Sequence, residues 1–222
     1  MLGKKNKLVE ETSLYILDKD SSFELKEAYN NLATNVIYLP IDDKSKKIAV
    51  TSSNYGEGKS SVAINLAIAL ASSLIDKRVL LVDADLRTPH VGEFLADAVP
   101  GYAMESGLSE YLSGKEEKCN IKTTHINNLD VVFAGEGAIN PAGLINSNKM
   151  NEFMANLDDT YDYVIIDTPP VKVVSDAILL VGRVNGYIIA TKTNYSTVPM
   201  LSSASESLKM VGAQIFGVVL SE

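Results

Sequence analysis

A glycine-containing loop between an apolar strand and a helix constrains this chain more than any other feature of its sequence. Residues 47–52 read as a buried strand, and the loop that follows carries Gly56 and Gly58 before a helix that begins at Lys59. A strand, a loop and a helix in this order place free backbone N–H groups and the positive end of the helix around a bound anion. The pattern therefore predicts a phosphate-binding loop.

The residue types in this loop suit a polyphosphate. Gly56 and Gly58 allow close backbone approach and unusual dihedral angles. Lys59 can reach the β- and γ-phosphates of a nucleotide, and the Ser60 hydroxyl can ligate Mg²⁺. Ser53 stands where the usual pattern begins with glycine. The residues predicted to bind the nucleotide are Ser53, Gly56, Glu57, Gly58, Lys59, Ser60 and Ser61.

Acidic residues close two other apolar runs of the sequence. Asp83 and Asp85 follow a Val-Leu-Leu-Val run, and Asp167 follows a Tyr-Val-Ile-Ile run. Ligands of parallel sheets bind at the carboxyl ends of the strands, so all three acids are predicted to face the phosphates. Any one acid could instead cap the turn after its strand. Together with Ser60 they predict a site for Mg²⁺, which prefers oxygen ligands and binds with substrate phosphates.

The wider pattern predicts an α/β fold of the P-loop NTPase type, with a mostly parallel central sheet and helices on both faces. Apolar runs read as strands at residues 47–52, 79–82, 129–133, 163–166, 186–190 and 214–220. Helices are predicted after a capping-box sequence at 21–24, and at 59–74, 141–157, 174–181 and 198–210. The run 88–120 is less periodic and reads as an insertion of loops and short helices beside the site.

Length and charge limit the organisation and the partners. With 222 residues the chain suits a single domain, 1–222, of which 1–20 are predicted to be a flexible N-terminal segment. A net charge of −8 argues against nucleic acid as the main partner. Lys4, Lys5 and Lys7 indicate either a solvated start or contact with an acidic surface. A single cysteine, Cys119, and the lack of a long apolar segment indicate a cytoplasmic protein.

Three motifs of the chain resemble those of the bacterial tyrosine kinases. The phosphate-binding loop, the Asp-Ala-Asp-Leu-Arg sequence of 83–87 and the Ile-Ile-Asp-Thr-Pro-Pro sequence of 165–170 have the form of that family's Walker A, Walker A′ and Walker B motifs. Shorter similarities, such as Asn140-Pro141 and the Gly-Val-Val-Leu of 217–220, extend the resemblance over nearly the whole chain. The resemblance implies an ATP-dependent protein tyrosine kinase that regulates capsular or exopolysaccharide synthesis and export.

The resemblance also implies roles for individual residues. Lys59, Asp83, Asp85 and Arg87 would be catalytic, with Arg87 either offsetting phosphate charge or forming a structural ion pair. Ser60 and Asp167 would hold Mg²⁺, together with Asp83 and Asp85. ATP or ADP would be the bound nucleotide. The implied partners are a membrane-anchored adaptor, which recruits the kinase to the inner face of the membrane and activates it, and protein tyrosine substrates that include the kinase itself.

Two departures from the family pattern bear on assembly and substrate. Asn30 and Ala33 occupy the arginine positions of a motif by which family members build rings, so the resemblance does not carry ring assembly over. No tyrosine cluster precedes Glu222, which indicates either a removed tail or a substrate other than the chain itself. Two alternatives remain: a partition or septum-site ATPase switch, disfavoured by Asn54 at that class's signature-lysine position, and a nucleotide-binding regulatory scaffold without kinase activity.

Overall fold

A central seven-stranded sheet organises the protein. The computed structural model describes residues 16–101 and 106–221. The strands are β1 (Lys46–Ser52), β2 (Val79–Asp83), β3 (Lys122–Thr123), β4 (Leu129–Val132), β5 (Tyr163–Asp167), β6 (Gly186–Lys192) and β7 (Ile215–Ser221). Their order is β3-β4-β2-β5-β1-β6-β7, and every neighbouring pair is parallel except β3 with β4. The predicted α/β fold with a mostly parallel sheet is confirmed.

Helices cover both faces of this sheet. They are α1 (Phe23–Ile37), α2 (Lys59–Ser73), α3 (Val91–Leu95), α4 (Leu108–Ser113), α5 (Pro141–Ile145), α6 (Asn148–Asn156) and α7 (Val198–Met210), with short 3₁₀ turns at Ala96–Ala98 and Ile178–Leu180. Within β2 the side chains alternate: Leu81 packs into the core on the α2 side, and Leu80 into the core on the α6 side. This alternation follows from the two-residue period of a strand.

The helix of the phosphate-binding loop is buried on nearly all sides. Most of α2 is apolar, and it lies between the sheet and α1. A helix that is hydrophobic all round is stable only in such a place. The burial fixes the start of α2 at Lys59, directly after the loop. The packing of α2 therefore holds the loop against the sheet.

Most predicted elements are confirmed, with strand limits within one or two residues of the structure. The predicted helix of 141–157 is two helices, because the Ser147 side chain accepts a hydrogen bond from the Met150 N–H and starts α6 anew. The predicted helix of 174–181 is wrong, since only a 3₁₀ turn forms there. The N–H groups of Leu180 and Val181 donate to the carbonyls three residues earlier, those of Ala177 and Ile178, and the Tyr187 hydroxyl also donates to the Ala177 carbonyl.

The N-terminal region corrects one further detail, the capping box. Of the segment 1–20, residues 1–15 lie outside the described residues, and the Leu17 N–H donates to Asn65 Oδ1 at 2.8 Å. Ser22 caps α1 by accepting from the Leu25 N–H, and Leu25 rather than a glutamate holds the third helical position, so no capping box forms. Ala33, on the same helix, is fully buried in the core.

The described residues include no helix with both the length and the apolar character that a bilayer span requires.

The central strands predict where the fold is sensitive to substitution. Ile165 on β5 is fully buried between β1 and β2, so Ile165→Ala should lower the free energy of unfolding by about 2–5 kcal/mol through lost burial and a cavity. Ile75 is 86% exposed, and Ile75→Ala should change stability by less than about 0.5 kcal/mol. Urea unfolding of both variants provides the measurement. Equal losses would contradict this description of the core.

Candidate nucleotide site

The phosphate-binding loop has the geometry that an anion site needs. Gly56 and Gly58 adopt φ angles of 75° and 81°, a region that side chains disfavour. Gly58 is the N-cap of α2 and makes no side-chain capping hydrogen bond, so the first N–H groups of the helix remain available to a ligand. A Cβ at Gly58 would lie 3.2 Å from Ser221 Oγ on β7, a tight contact that a larger residue could make only if Ser221 moved. The predicted order of strand, loop and helix is therefore present, with the helix beginning at Lys59.

The Lys59 ammonium lies among the acids that the sequence singled out. Its Nζ is 2.8 Å from Asp85 Oδ2, 3.7 Å from Asp167 Oδ2 and 3.2 Å from Ser60 Oγ. The side chain is buried, and burial by itself lowers the pKa of a lysine. Asp167 and Asp85 outweigh that effect, and the pKa of Lys59 is raised above its ordinary value. The lysine therefore stays charged in a buried site.

Adjacent strands bring the three acids together. Asp83 and Asp167 end β2 and β5, and they are direct partners in the parallel register. Asp83 accepts hydrogen bonds from the backbone N–H groups of Asp85 and Val91, which fix its orientation. Burial first, and then the charge of Asp167, raise the pKa of Asp83 well above its usual range. The Asp83 carboxylate is therefore a stronger base than the carboxylate of an exposed aspartate, and it becomes protonated at a higher pH.

Asp167 has one engaged oxygen and one free oxygen. Its Oδ2 accepts a hydrogen bond of 2.5 Å from Ser60 Oγ at the start of α2. Its Oδ1 is buried and has no hydrogen-bond partner among the described residues. Burial is the main cause that raises the pKa of Asp167, while Lys59 and Ser60 act in the opposite direction. An unpartnered buried carboxylate oxygen is costly, and at this place it is available to a ligand.

Arg87 is committed to a structural ion pair. Its guanidinium makes two hydrogen bonds to Asp176, Nε to Oδ2 at 2.7 Å and Nη2 to Oδ1 at 3.0 Å. Asp176 is 1% exposed and lies in the segment after β5, so the pair ties that segment to the turn after β2. Of the two roles that the sequence left open for Arg87, ion pairing is the one the structure displays.

The remaining predicted residues surround the loop in different ways. Ser53 donates a hydrogen bond from its hydroxyl to the Met200 carbonyl, which anchors the loop to α7. Ser61 is half-buried in the first turn of α2. Glu57 does not point toward the mouth of the loop: its carboxylate is buried and accepts hydrogen bonds from the Asn54 N–H and the Ser196 hydroxyl. Sequence reasoning missed Ser196, because it lies 139 residues away and no local pattern marks it.

The Arg87–Asp176 pair carries a testable stability effect. Arg87→Ala leaves a buried carboxylate without its partner and should cost about 1–3 kcal/mol of unfolding free energy, less than a fully buried pair because the Arg87 side chain is 34% exposed. Lys44→Ala removes the exposed pair with Asp159 and should change stability much less. Thermal or urea unfolding distinguishes them, and an equal effect would show that the Arg87 pair is not structural.

Comparison with known proteins points to one family. Residues 45–214 match the family model described as "AAA domain". The tyrosine-protein kinase CpsD of Streptococcus pneumoniae serotype 4 is 34% identical over 213 residues, which cover 95% of this chain and 90% of that protein. The crystal structure of the chimerical protein CapA2B2 is 30% identical and superposes with a TM-score of 0.83 over 94% of this chain and 89% of its own.

Other solved structures separate this family from its distant neighbours. The kinase domain of the Escherichia coli tyrosine kinase ETK is 30% identical, with a TM-score of 0.81 over 89% of this chain and 75% of its own. The septum-site-determining protein MinD of Pyrococcus horikoshii, complexed with Mg-ADP, is 24% identical, with a TM-score of 0.64 over 79% of this chain and 70% of its own. The latter shares the fold, and the septum-site alternative is only a distant one. The chain, with its AAA domain, belongs to the family of bacterial tyrosine-protein kinases.

Proposed function

We propose that this protein is an ATP-dependent protein tyrosine kinase that uses Mg²⁺ and regulates capsular or exopolysaccharide synthesis. The observation that carries the proposal is the convergence of Lys59, Ser60 and three buried aspartates beside a loop shaped for phosphates. Relatives that are named tyrosine-protein kinases, and that match over nearly the whole chain, support the same reaction.

Lys59 and the loop would bind and orient the phosphates. In the structure the Lys59 ammonium is held by Asp85 and Asp167, and the β- and γ-phosphates of ATP would compete with these carboxylates for it. The N–H groups at the start of α2 supply further donors for the same oxygens. Nucleotide binding would therefore both position the phosphates and draw the positive charge of Lys59 away from the carboxylates.

Asp83 would receive the proton of the substrate. A phenol has a reference pKa of about 10, so its oxygen is a weak nucleophile until the proton leaves. The phenolic oxygen forms a bond to the γ-phosphorus as the bond from that phosphorus to the β,γ-bridging oxygen breaks, and ADP leaves with the electron pair. The proton passes to the Asp83 carboxylate, whose raised pKa suits it to this task. Most of the rate would come from positioning and charge neutralisation.

The residues present fit a divalent cation. One ammonium faces three buried carboxylates, an excess of negative charge that would repel a polyphosphate, and Asp167 Oδ1 has no partner among the described residues. Among those residues no three acidic, histidine or cysteine side chains form a metal site alone, so the nucleotide would complete the ligand set. Ser60 and Asp167 would hold the ion, directly or through water, with Asp83 and Asp85 beside it. Bound Mg²⁺ would neutralise charge on the phosphate oxygens.

The partners follow from the family. We propose that a membrane-anchored adaptor recruits the protein to the inner face of the membrane and activates it, and that its substrates are protein tyrosines, its own among them. A homo-oligomer remains part of the proposal, although Asn30 and Ala33 lack the arginine contacts on which family rings depend. Asn30 is exposed and donates to Glu27 within α1, while Ala33 is fully buried.

Replacing Lys59 tests the proposed activity. Lys59→Met should lower ATP-dependent phosphotyrosine formation at least about 100-fold, because an oriented cation on the phosphates is lost. The assay contains ATP, Mg²⁺, the adaptor tail and a tyrosine substrate, and is read by phosphotyrosine blot. Lys77→Met, which removes a surface pair with Asp162, is the matched control and should keep full activity.

Three results would contradict parts of this proposal. Intact activity in a folded Lys59→Met protein would remove the catalytic assignment. Phosphate release without phosphotyrosine would favour an ATPase switch. Nucleotide binding by the unmodified chain without either product would favour a regulatory scaffold.

The raised pKa of Asp83 predicts a pH dependence. The carboxylate form is the base, and a raised pKa keeps the group protonated to higher pH than an ordinary aspartate, whose reference pKa is about 3.9. The pH–activity profile should therefore have a rising limb whose midpoint lies at a higher pH than that reference value. Asp83→Asn should abolish the limb and leave only a low residual rate. An unchanged limb in that variant would assign it to another group.

A further inference from the structure

A buried carboxylate lies inside a loop that is built to hold anions. Glu57 stands between Gly56 and Gly58 and is 1% exposed. No lysine, arginine or histidine of the described residues forms an ion pair with it. Its charge opposes a bound polyphosphate, so electrostatics alone gives no reason for an acid at this position. The hydrogen bonds of the side chain supply a different reason.

Both carboxylate oxygens are used to fix the loop. Oε2 accepts a hydrogen bond of 2.6 Å from the Asn54 N–H, within the loop itself. Oε1 accepts from the Ser196 hydroxyl, on the connection between β6 and α7. Hydrogen bonds to a charged acceptor are stronger than those between neutral groups, and burial strengthens them further. Glu57 therefore joins the phosphate-binding loop to the connection between β6 and α7, two segments that are far apart in the sequence.

The Ser196 side of this contact is itself fixed. Ser196 Oγ accepts a hydrogen bond of 2.8 Å from the Lys192 N–H at the end of β6, so its proton is directed at Glu57. The Ser196 N–H returns a bond of 2.9 Å to the Lys192 carbonyl. One residue beyond β6, the Thr193 N–H donates to the Ser221 carbonyl of β7 at 2.8 Å. The anchor is thus part of the sheet edge and not a free loop.

We propose that Glu57 is a positioning residue that holds the phosphate-binding loop in its ligand-ready shape through Ser196. The inference rests on the proposed nucleotide binding and assigns the pair a role in affinity for the phosphates. Two glycines with positive φ flank Glu57, and such a backbone loses much conformational freedom when it is ordered. An anchor that orders the loop in advance removes this cost from binding, and the gain exceeds the repulsion of one carboxylate.

Removal of the carboxylate gives opposite results under the two physical accounts. If Glu57 only repels phosphate, Glu57→Ala binds Mg-ADP more tightly. If it positions the loop, Glu57→Ala should raise the Kd for Mg-ADP by about tenfold to a hundredfold, the equivalent of one buried charged hydrogen bond. The KM for ATP should rise in parallel, with kcat changing by less than about threefold since the anchor touches no reacting atom.

Conservative variants separate positioning from folding. Glu57→Gln can accept from the Asn54 N–H through its oxygen and donate to Ser196 Oγ through its nitrogen, so its Kd should stay within about threefold of the unmodified chain. Ser196→Ala keeps the charge but loses the anchor, and should raise the Kd by about threefold to tenfold. Ser202→Ala, which removes an exposed hydrogen bond to Glu206 on α7, is the matched control and should bind normally.

The full-length chain is titrated with Mg-ADP by calorimetry, with thermal unfolding measured in parallel. Tighter binding by Glu57→Ala, or a lowered Tm with unchanged Kd in Ser196→Ala, would overturn the inference. Weakened binding by both, with rescue by Glu57→Gln, supports it. This binding pattern in a chain that forms no phosphotyrosine would leave the inference standing and overturn the kinase proposal, while absence of Mg-ADP binding by the unmodified chain would overturn both.

Discussion

The ion pair between Lys59 and the buried aspartates is the interaction on which the site depends. Lys59 Nζ lies 2.8 Å from Asp85 and 3.7 Å from Asp167, in a place where an isolated charge would be costly. The carboxylates keep the ammonium charged, and the ammonium in turn makes their burial tolerable. A bound polyphosphate would replace the carboxylates as the partner of the ammonium, and a divalent cation would replace the ammonium as the partner of the carboxylates. Without ligands, the ammonium and the carboxylates therefore stabilise each other.

The parallel sheet makes this cluster possible. β1, β2 and β5 are neighbours and run in the same direction, so the phosphate-binding loop and all three acids emerge at one edge. Asp83 and Asp167 are register partners, which leaves little freedom in their separation. The buried helix α2 then sets Lys59 over this edge. Side contacts, Arg87 with Asp176 and Glu57 with Ser196, hold the surrounding turns in place.

Local signals were sufficient for six of the seven strands, for the loop and for the acids, because apolar runs, glycines and strand-end carboxylates each occur within a few consecutive residues. The two-residue strand β3 was not predicted. The orientation of individual side chains was not predictable in this way. From the sequence, Arg87 could either bind phosphate or form an ion pair. Its partner, Asp176, is 89 residues away, and only the fold brings the two together. Glu57 read as part of the binding loop, yet its carboxylate faces Ser196. The segment 174–181, predicted as a helix, likewise makes contacts that no local pattern marks: the Asp176 side chain pairs with Arg87, and the Ala177 carbonyl accepts from the Tyr187 hydroxyl.

A crystal structure with Mg²⁺ and a non-hydrolysable ATP analogue tests the central claim most directly. The expected result has the β- and γ-phosphates against the N–H groups of α2, Lys59 Nζ moved from Asp85 to a phosphate oxygen, and a metal ion about 2.1 Å from Ser60 Oγ. Asp167 should then contact the ion or one of its waters. A nucleotide bound elsewhere, or Lys59 still paired with Asp85 beside a bound triphosphate, would contradict the claim.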